Sequence, residues 1–390
     1  MKKKIAILGS TGSIGKSLIK IIEQDIKSFN VILISAHKNY NILFKQAKKL
    51  KVKNLIISDY KSFSKAKLIN KNKNLKIFNN YDQLDKILKS KVDYSMSSIV
   101  GLDGLKPTLD IIKYSKTIAI ANKESIICGW NLIKRKLLKY NVRFIPVDSE
   151  HFSIWSSLNY NKKKIDKIYL TASGGPFYKR KFSELENIKI SEALNHPTWK
   201  MGKKISIDSS TLINKVFEVI EASKIFDIEK KRINIIIHPS SYVHALIKLS
   251  NGLINIIAHD TTMKVPIFNS LYWDENKSIN TNKINFTKLN NLNFIIANKV
   301  NFPLLDLIKK IPIRDSLFET MIVSANDHLV KMFLDKRIKY TDISKVLLRM
   351  ANMKKLTRLK KVMPRNFSDI NNTKNLTIKI INKFYSKKND

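Results

Sequence analysis

Apolar residues follow two rhythms along this chain. In the first third, short apolar runs alternate with longer stretches in which apolar positions recur every three or four residues. Lys4–Leu8, Val31–Ser35, Asn54–Ser58, Val92–Val100, Thr117–Ala121 and Val142–Pro146 are short runs that predict strands buried inside a parallel sheet. Lys16–Asp25 and Tyr40–Leu50 have the helical period and predict helices burying one face. Strands and helices alternating in this way predict an α/β fold, a Rossmann-like doubly wound parallel sheet. Past residue 149 the rhythm changes. Lys167–Thr171 and Ile233–His238 predict strands, and His244–Lys248 with Leu253–Ile257 flank the turn signal Ser250-Asn-Gly252, which predicts a hairpin in an α+β region. Residues 274–300 are rich in Asn, Lys and Thr and read as a connector. From 301 the period is helical, for example over Asp315–Leu334 and Thr341–Met353, and predicts a C-terminal helical bundle. The expected domains are 1–148, 149–273 and 301–390, joined by the connector.

Composition adds limits to this picture. A chain of 390 residues, 44% hydrophobic and 26% charged, has the make-up of a globular protein of two or three domains. No apolar run approaches the ~20 residues that span a bilayer, so no membrane partner is expected. Met1-Lys-Lys-Lys4 has the charge of a leader segment, but the run Ile5–Leu8 is cut at once by Gly9-Ser-Thr-Gly-Ser13, and a cytoplasmic location is expected. The single cysteine, Cys128, excludes an internal disulfide framework and a multi-cysteine metal site. The net charge of +41 taken alone suggests a polyanion partner. The lysines are spread over the whole length, however, with short clusters at 162–164, 230–232 and 354–361. The abundance of Ile and Asn points to a compositional bias, so the charge reads as a solvated surface and no specific nucleic acid is expected.

Candidate chemistry begins at Gly9-Ser-Thr-Gly-Ser-Ile-Gly15, placed between a predicted strand and a predicted helix. Glycines there let the backbone approach a pyrophosphate, and a helix N-terminus favours the anion. A tight turn with no ligand is the alternative. The segment after the second strand, Ser35-Ala-His-Lys-Asn39, holds no carboxylate for ribose hydroxyls. His37 and Lys38 suit a 2′-phosphate, which favours NADP over NAD; one more surface lysine is the other reading of Lys38. Further on, Asp148 and Glu150 stand two apart after a strand, where period-2 geometry puts both on one side. Two carboxylates held together call for a cation, and oxygen ligands suit Mg²⁺ or Mn²⁺. An acidic loop beside His151 is the other reading. Ser209-Ser-Thr211 predicts a helix N-cap, and on the helix after it Asn214, Glu218 and Glu221 share a face, with Lys215 one turn before Glu218. That set fits a phosphate, or else an ordinary surface helix. His196-Pro-Thr-Trp-Lys-Met-Gly202 reads as a loop, with Trp199 as a lid or as packing against a neighbouring domain, and His196 as a metal ligand or, with hard carboxylates nearby, a hydrogen-bond partner of an anion.

Taken in order, Gly9–Gly15, Ala121-Asn-Lys-Glu-Ser125, Pro146-Val-Asp-Ser-Glu-His151, Ser173-Gly-Gly-Pro-Phe177, His196–Gly202, Asn214-Lys215 with Glu218, and Ser324-Ala-Asn326 resemble the 1-deoxy-D-xylulose 5-phosphate reductoisomerase family over nearly the whole chain. The resemblance implies a homodimer with an NADPH domain, a catalytic domain and a helical bundle. It implies that Asp148, Glu150 and Glu218 hold the metal and, with Lys123, are catalytic. It places the backbone of a small phosphorylated sugar on Lys123, Ser149 and Glu150, and its phosphate on Ser173, His196, Ser209, Asn214 and Lys215 under a flap carrying Trp199. It assigns NADPH to Thr11, Gly12, Ser13, Ile14, His37, Lys38, Asn39, Asn122, Glu124 and Gly202. The implied reaction rearranges 1-deoxy-D-xylulose 5-phosphate and reduces it to 2-C-methyl-D-erythritol 4-phosphate, an isoprenoid precursor.

The chain departs from the family pattern at four places. Val216 follows Asn-Lys where the family has Gly, His259-Asp-Thr-Thr-Met263 stands for a Gly-x-Pro-Asp-Met turn, His37 replaces a small residue, and Asn326-Asp327 stands for Asn-Glu. Two other readings compete. A semialdehyde dehydrogenase-like reductase needs a nucleophilic cysteine, and a polyanion-binding protein needs no Asp-x-Glu pair.

Overall fold

The computed structural model describes residues 1–160 and 164–386. Lys162 and Lys163 of the first lysine cluster lie outside them. The chain forms two compact units, Met1–Ser125, Leu132–Phe152 and Met263–Asn280 in the first, and Ile126–Asn131, Ser153–Thr262 and Thr281–Asp390 in the second.

The first unit is built on seven parallel strands: β1 (Lys3–Leu8), β2 (Phe29–Ala36), β3 (Asn54–Ile57), β4 (Lys76–Phe78), β5 (Val92–Ser97), β6 (Ser115–Ile120) and β7 (Arg143–Pro146). Their order is β4-β3-β2-β1-β5-β6-β7. The chain winds outward from β1 in both directions, the doubly wound arrangement that the alternation predicts. Ile5, Ala6, Ile7 and Leu8 are all fully buried, which is why β1 is apolar on both faces. Order reverses between β1 and β5, and ligands of such sheets bind beyond the strand ends at that switch point. The Gly9–Gly15 loop lies there. β4 was not legible in the sequence, because it lies at the sheet edge with Lys76 exposed and Ile77 and Phe78 only half-buried. β5 also stops three residues earlier than its apolar run.

The helix Lys264–Leu271 buries Ile267, Phe268 and Leu271 in the same core as β1 and the Ser13–Gln24 helix. Tyr94 and Ser270 hydroxyls meet at 2.8 Å, and Lys3 pairs with Asp274 at 2.7 Å and Glu275 at 2.5 Å. This segment therefore belongs with the first sheet, whereas composition grouped residues up to 273 with the catalytic domain.

The second unit carries a mixed sheet of β8 (Ile165–Ala172), β9 (Ile233–Ile237), β10 (Val243–Leu249), β11 (Ile254–Ala258) and β12 (Ile295–Ile296), in the order β11-β10-β8-β9-β12. β10 and β11 form the expected hairpin, with Lys248 opposite Ile254. The stretch expected to be a plain connector contains the Phe286–Asn290 helix, and β12 within it pairs antiparallel with β9. Its Asn and Lys content masked this short edge strand. The Ile213–Phe226 helix packs Val219 and Ala222 against Ile168, Leu170 and Ile235 of the sheet. The helices Leu317–Leu334, Tyr340–Asn352 and Phe367–Ser386 complete the unit, in agreement with the helical period. Among the described residues no helix is long and apolar enough to cross a membrane.

Candidate active site

In the first unit, Gly9 has φ +82°, and a Cβ on it would lie 2.8 Å from the Ser98 carbonyl oxygen. A Cβ on Gly15 would lie 2.5 Å from the Ser10 Cα. Both positions therefore require glycine, one for the turn and one for close packing of the helix on the loop. Gly12 caps the Ser13–Gln24 helix without a side-chain bond, and no acidic residue occupies its first turn. The helix start, with Thr11, Ser13 and Ile14 around it, suits an anion. Past β2, His37, Lys38 and Asn39 are exposed, Asn39 caps the next helix through Ile42, and His37 Nδ1 lies 3.0 Å from Ser58 Oγ. A carboxylate does lie nearby, at the end of β3. Asp59 accepts the Ser62 amide at 2.9 Å, and the Ser62 hydrogen bonds, then Lys38 and His37, hold it below the ordinary range. It is committed to capping its own helix. Asn122 is similarly engaged: it accepts from the Ser125 amide at 2.6 Å and donates to the carbonyls of Ile99 and Gly101, and Glu124 is buried in the first turn of the helix that Asn122 caps.

Asp148 and Glu150 are brought together, but not by strand alternation. β7 ends at Pro146, Asp148 directly precedes the Ser149–Tyr160 helix, and Glu150 lies in its first turn. Asp148 Oδ1 accepts the Glu150 amide at 3.1 Å and sits 3.1 Å from His151 Nδ1, while Oδ2 meets Lys123 Nζ at 3.1 Å. Ser149 Oγ donates to Glu150 Oε2 at 2.6 Å. Burial pushes the Asp148 carboxyl up, but Lys123 and the bond to His151 outweigh it and hold the group well below the usual range. Asp148 and Glu150 thus offer hard oxygens, the kind of donor that Mg²⁺ or Mn²⁺ takes. Asp-x-x-His at a helix start is the spacing that joins Asp148 to His151, which in the sequence alone reads as a neighbour of an acidic loop.

In the second unit β8 runs into Ser173-Gly-Gly-Pro176, with φ +81° at Gly174 and +63° at Gly175. A Cβ on Gly175 would lie 2.9 Å from the Ser210 Cα, so glycine lets this turn press against the 209–210 backbone. Ser173 and Ser209 then both meet His196, whose Nε2 is 2.8 Å from Ser173 Oγ and 3.1 Å from Ser209 Oγ. Burial, with the Lys215 charge, lowers the His196 pKa to about 4, so the ring is neutral near pH 7.

Ser209–Thr211 was expected to cap the next helix. It instead ends the Lys203–Ser210 helix, which starts from Gly202, and Leu212 at φ 61° turns the chain into Ile213–Phe226. Thr211 Oγ1 bonds back to the Ile207 carbonyl at 3.2 Å, which commits it to the preceding turn. The corner is braced from far along the chain. Asn326 donates to buried Asp208 at 2.8 Å, Lys204 bridges Asp208 at 2.8 Å and Asp327 at 3.0 Å, and Tyr340 donates to Ser210 at 3.0 Å.

On Ile213–Phe226, Lys215 Nζ is 2.5 Å from Glu218 Oε2, and Asn214 Nδ2 donates to the other oxygen. Glu218 is 1% exposed and Lys215 7%. This is a buried charge pair rather than a surface one. Trp199 is half-buried, edge-on to His244 at 6.2 Å between ring centres, and His244 stacks on His259 at 3.7 Å.

The sequence matches family profiles described as "1-deoxy-D-xylulose 5-phosphate reductoisomerase" over residues 5–129, its C-terminal domain over 144–226, and "DXP reductoisomerase C-terminal domain" over 260–378. A 1-deoxy-D-xylulose 5-phosphate reductoisomerase from Pelagibacter ubique (strain HTCC1062) is 54% identical over 373 residues, covering 95% of this chain and 96% of the relative. The chain belongs to the 1-deoxy-D-xylulose 5-phosphate reductoisomerase family. A family member from Wolbachia sp. subsp. Drosophila simulans (strain wRi) is 38% identical over 349 residues, 88% of this chain and 89% of the relative.

Among solved structures, the Zymomonas mobilis enzyme in complex with NADPH is 30% identical, with a TM-score of 0.86 over 97% of each chain. A DOX-P reductoisomerase in complex with NADPH, fosmidomycin and magnesium is 27% identical, with a TM-score of 0.90 over 98% of each chain. Membership sets aside the polyanion-binding and semialdehyde dehydrogenase-like readings. Cys128 agrees, being 2% exposed in the apolar packing of the Lys123–Tyr140 helix. The departures are now placed: Val216 is fully buried inside its helix, and His259 supplies a ring where the family pattern has no side chain.

Proposed function

We propose that this chain rearranges and reduces 1-deoxy-D-xylulose 5-phosphate to 2-C-methyl-D-erythritol 4-phosphate, using NADPH and a divalent cation. The observation that carries the reading beyond family membership is the Ser173–His196–Ser209 pocket, with Lys215 close enough to lower the histidine. Two hydroxyls, a neutral imidazole and a buried ammonium make a phosphate site. His196 meets the phosphate as a hydrogen-bond donor and Lys215 brings the charge. Asn214 adds an amide, and Trp199 on the 196–202 loop covers the substrate and excludes water.

Asp148, Glu150 and Glu218 are the carboxylates that would hold the cation, and the donor chemistry of each fits Mg²⁺ or Mn²⁺. When bound, the cation supplies Lewis-acid polarisation of the substrate's oxygens and NADPH supplies the hydride. Lys123 keeps Asp148 ionised, and Ser149 orients Glu150. NADPH would lie against the Gly9–Gly15 loop, its 2′-phosphate toward His37, Lys38 and Asn39, with Asn122, Glu124 and Gly202 completing the site. The same reading places the enzyme in the cytoplasm, where NADPH and sugar phosphates are available.

A homodimer belongs to the reading as well. β11 is an edge strand with Ile254 59% and Ile256 51% exposed beside Leu253, an apolar edge that a second copy would cover. Sedimentation velocity of wild type and Ile256→Lys tests it: a dimer that becomes a monomer is expected, and a monomeric wild type refutes it. For the reaction, product analysis by NMR should show the branched tetritol phosphate formed one-to-one with NADPH consumed. NADPH consumption without that product would refute the assignment.

A further inference from the structure

We infer that His196 has a second role, as the positioning residue that ties the Trp199 loop to the phosphate pocket through its other ring nitrogen. This rests on the phosphate reading of the pocket. His196 Nδ1 lies 2.9 Å from the Trp199 amide nitrogen and 3.3 Å from that of Thr198. A backbone N–H can only donate, so Nδ1 must present its lone pair. The proton of the neutral ring then sits on Nε2. Nε2–H donates to Ser173 Oγ or Ser209 Oγ, and Ser173 Oγ also accepts the Gly175 amide at 3.2 Å. One ring thus faces the anion pocket with its donor and the loop backbone with its acceptor.

The two faces are coupled. A phosphate oxygen is a stronger acceptor than a serine hydroxyl. When it takes the Nε2 proton in a hydrogen bond, electron density on Nδ1 rises and the bonds from Thr198 and Trp199 tighten. Occupancy of the pocket is therefore felt by the loop that must close over it. The rest of the loop is held more lightly, by Thr198 Oγ1 at 3.2 Å from Ser241 Oγ and by the edge contact of Trp199 with His244. Neither of these contacts reaches the anion pocket, so His196 is the element that joins the two.

Two isosteric substitutions separate the roles. The Asn side-chain oxygen falls near the position of Nδ1, so His196→Asn keeps the loop acceptor and removes the pocket donor. The Gln amide reaches the position of Nε2, so His196→Gln keeps the donor and removes the loop acceptor. Amide hydrogen exchange at Thr198 and Trp199 is measured in the full chain, with circular dichroism confirming the fold. Exchange in His196→Gln should rise about five- to tenfold, the factor for one lost neutral hydrogen bond, and stay near wild type in His196→Asn. Wild-type exchange in His196→Gln, or equal acceleration in both variants, overturns the inference.

KM for the substrate is read on the same samples and should rise in His196→Asn. An unchanged KM there, with the exchange pattern as expected, would remove His196 from the phosphate site and leave its hold on the loop intact. A measurement on the wild type needs no variant to fold. Nitrogen-15 shifts of the His196 ring must report the Nε2–H tautomer, and an Nδ1–H ring overturns the inference directly.

Discussion

Glu218→Gln is the change whose cost the structure specifies most fully. In the sequence alone, the helix face of Glu218 fits either a phosphate site or an ordinary surface helix. Its burial excludes the surface reading. Glu218 is 1% exposed and takes the Lys215 ammonium at 2.5 Å, with Lys215 itself 7% exposed. Removing one partner of a buried pair costs about 3–5 kcal/mol, because the other charge is left uncompensated. Glutamine keeps an oxygen for Lys215 to donate to, so about 2 kcal/mol is expected. Lys215→Met should cost a similar amount, because the buried carboxylate loses its ammonium and keeps the Asn214 amide. The double variant should cost about as much as either single one, a coupling of about 1–3 kcal/mol. Urea denaturation at neutral pH, followed by circular dichroism without added metal, measures all four chains. Costs that simply add, or a Glu218→Gln midpoint equal to wild type, would refute the argument.

Three further outcomes follow from the same geometry. Val216→Gly, which restores the residue of the family pattern, should lower stability by roughly 2.5–4 kcal/mol, the sum of a lost buried side chain and a helical glycine; an unchanged urea midpoint would contradict the burial. Lys38→Ala should weaken NADPH about ten- to a hundredfold relative to NADH in direct titrations, the value of a charged hydrogen bond to the 2′-phosphate; an intact preference removes Lys38 from the site. His196 has a folded pKa of about 4 against an ordinary 6.5, so the unfolded chain takes up its proton first as pH falls. Its contribution is complete above about pH 6.5 and is lost toward pH 4, so wild type should lose more stability than His196→Gln over that window, and a smaller loss refutes the sign.

Much of the first sheet was legible because strands such as β1 are apolar on both faces and the helices Ser13–Gln24 and Tyr40–Leu50 carry the helical period. The Gly9–Gly15 loop was legible because steric demand at Gly9 and Gly15 admits no other residue. What stayed hidden depends on contacts between distant positions. Nothing near Asp208 announces that Asn326 will bond to it 118 residues away, or that Tyr340 will hold Ser210. Serines and threonines in a row suit either end of a helix, and the left-handed backbone at Leu212, which decides between them, has no sequence mark. Asp148 and Glu150 lie close for a reason other than strand alternation, since spacing by two also fits a residue before a helix and one in its first turn. Segment 263–280 joined the first unit because its apolar face fits that core, a property of shape rather than of local composition.

The central claim is a reduction that needs both NADPH and a divalent cation held by Asp148, Glu150 and Glu218. Substrate-dependent NADPH oxidation with 1-deoxy-D-xylulose 5-phosphate, before and after EDTA treatment and again with Mg²⁺ restored, tests it most directly. The account predicts turnover that EDTA abolishes and Mg²⁺ recovers, with half-saturation by Mg²⁺ shifted at least tenfold upward in Glu150→Gln. Full turnover in EDTA, or no substrate-dependent oxidation at any Mg²⁺ concentration, would contradict it.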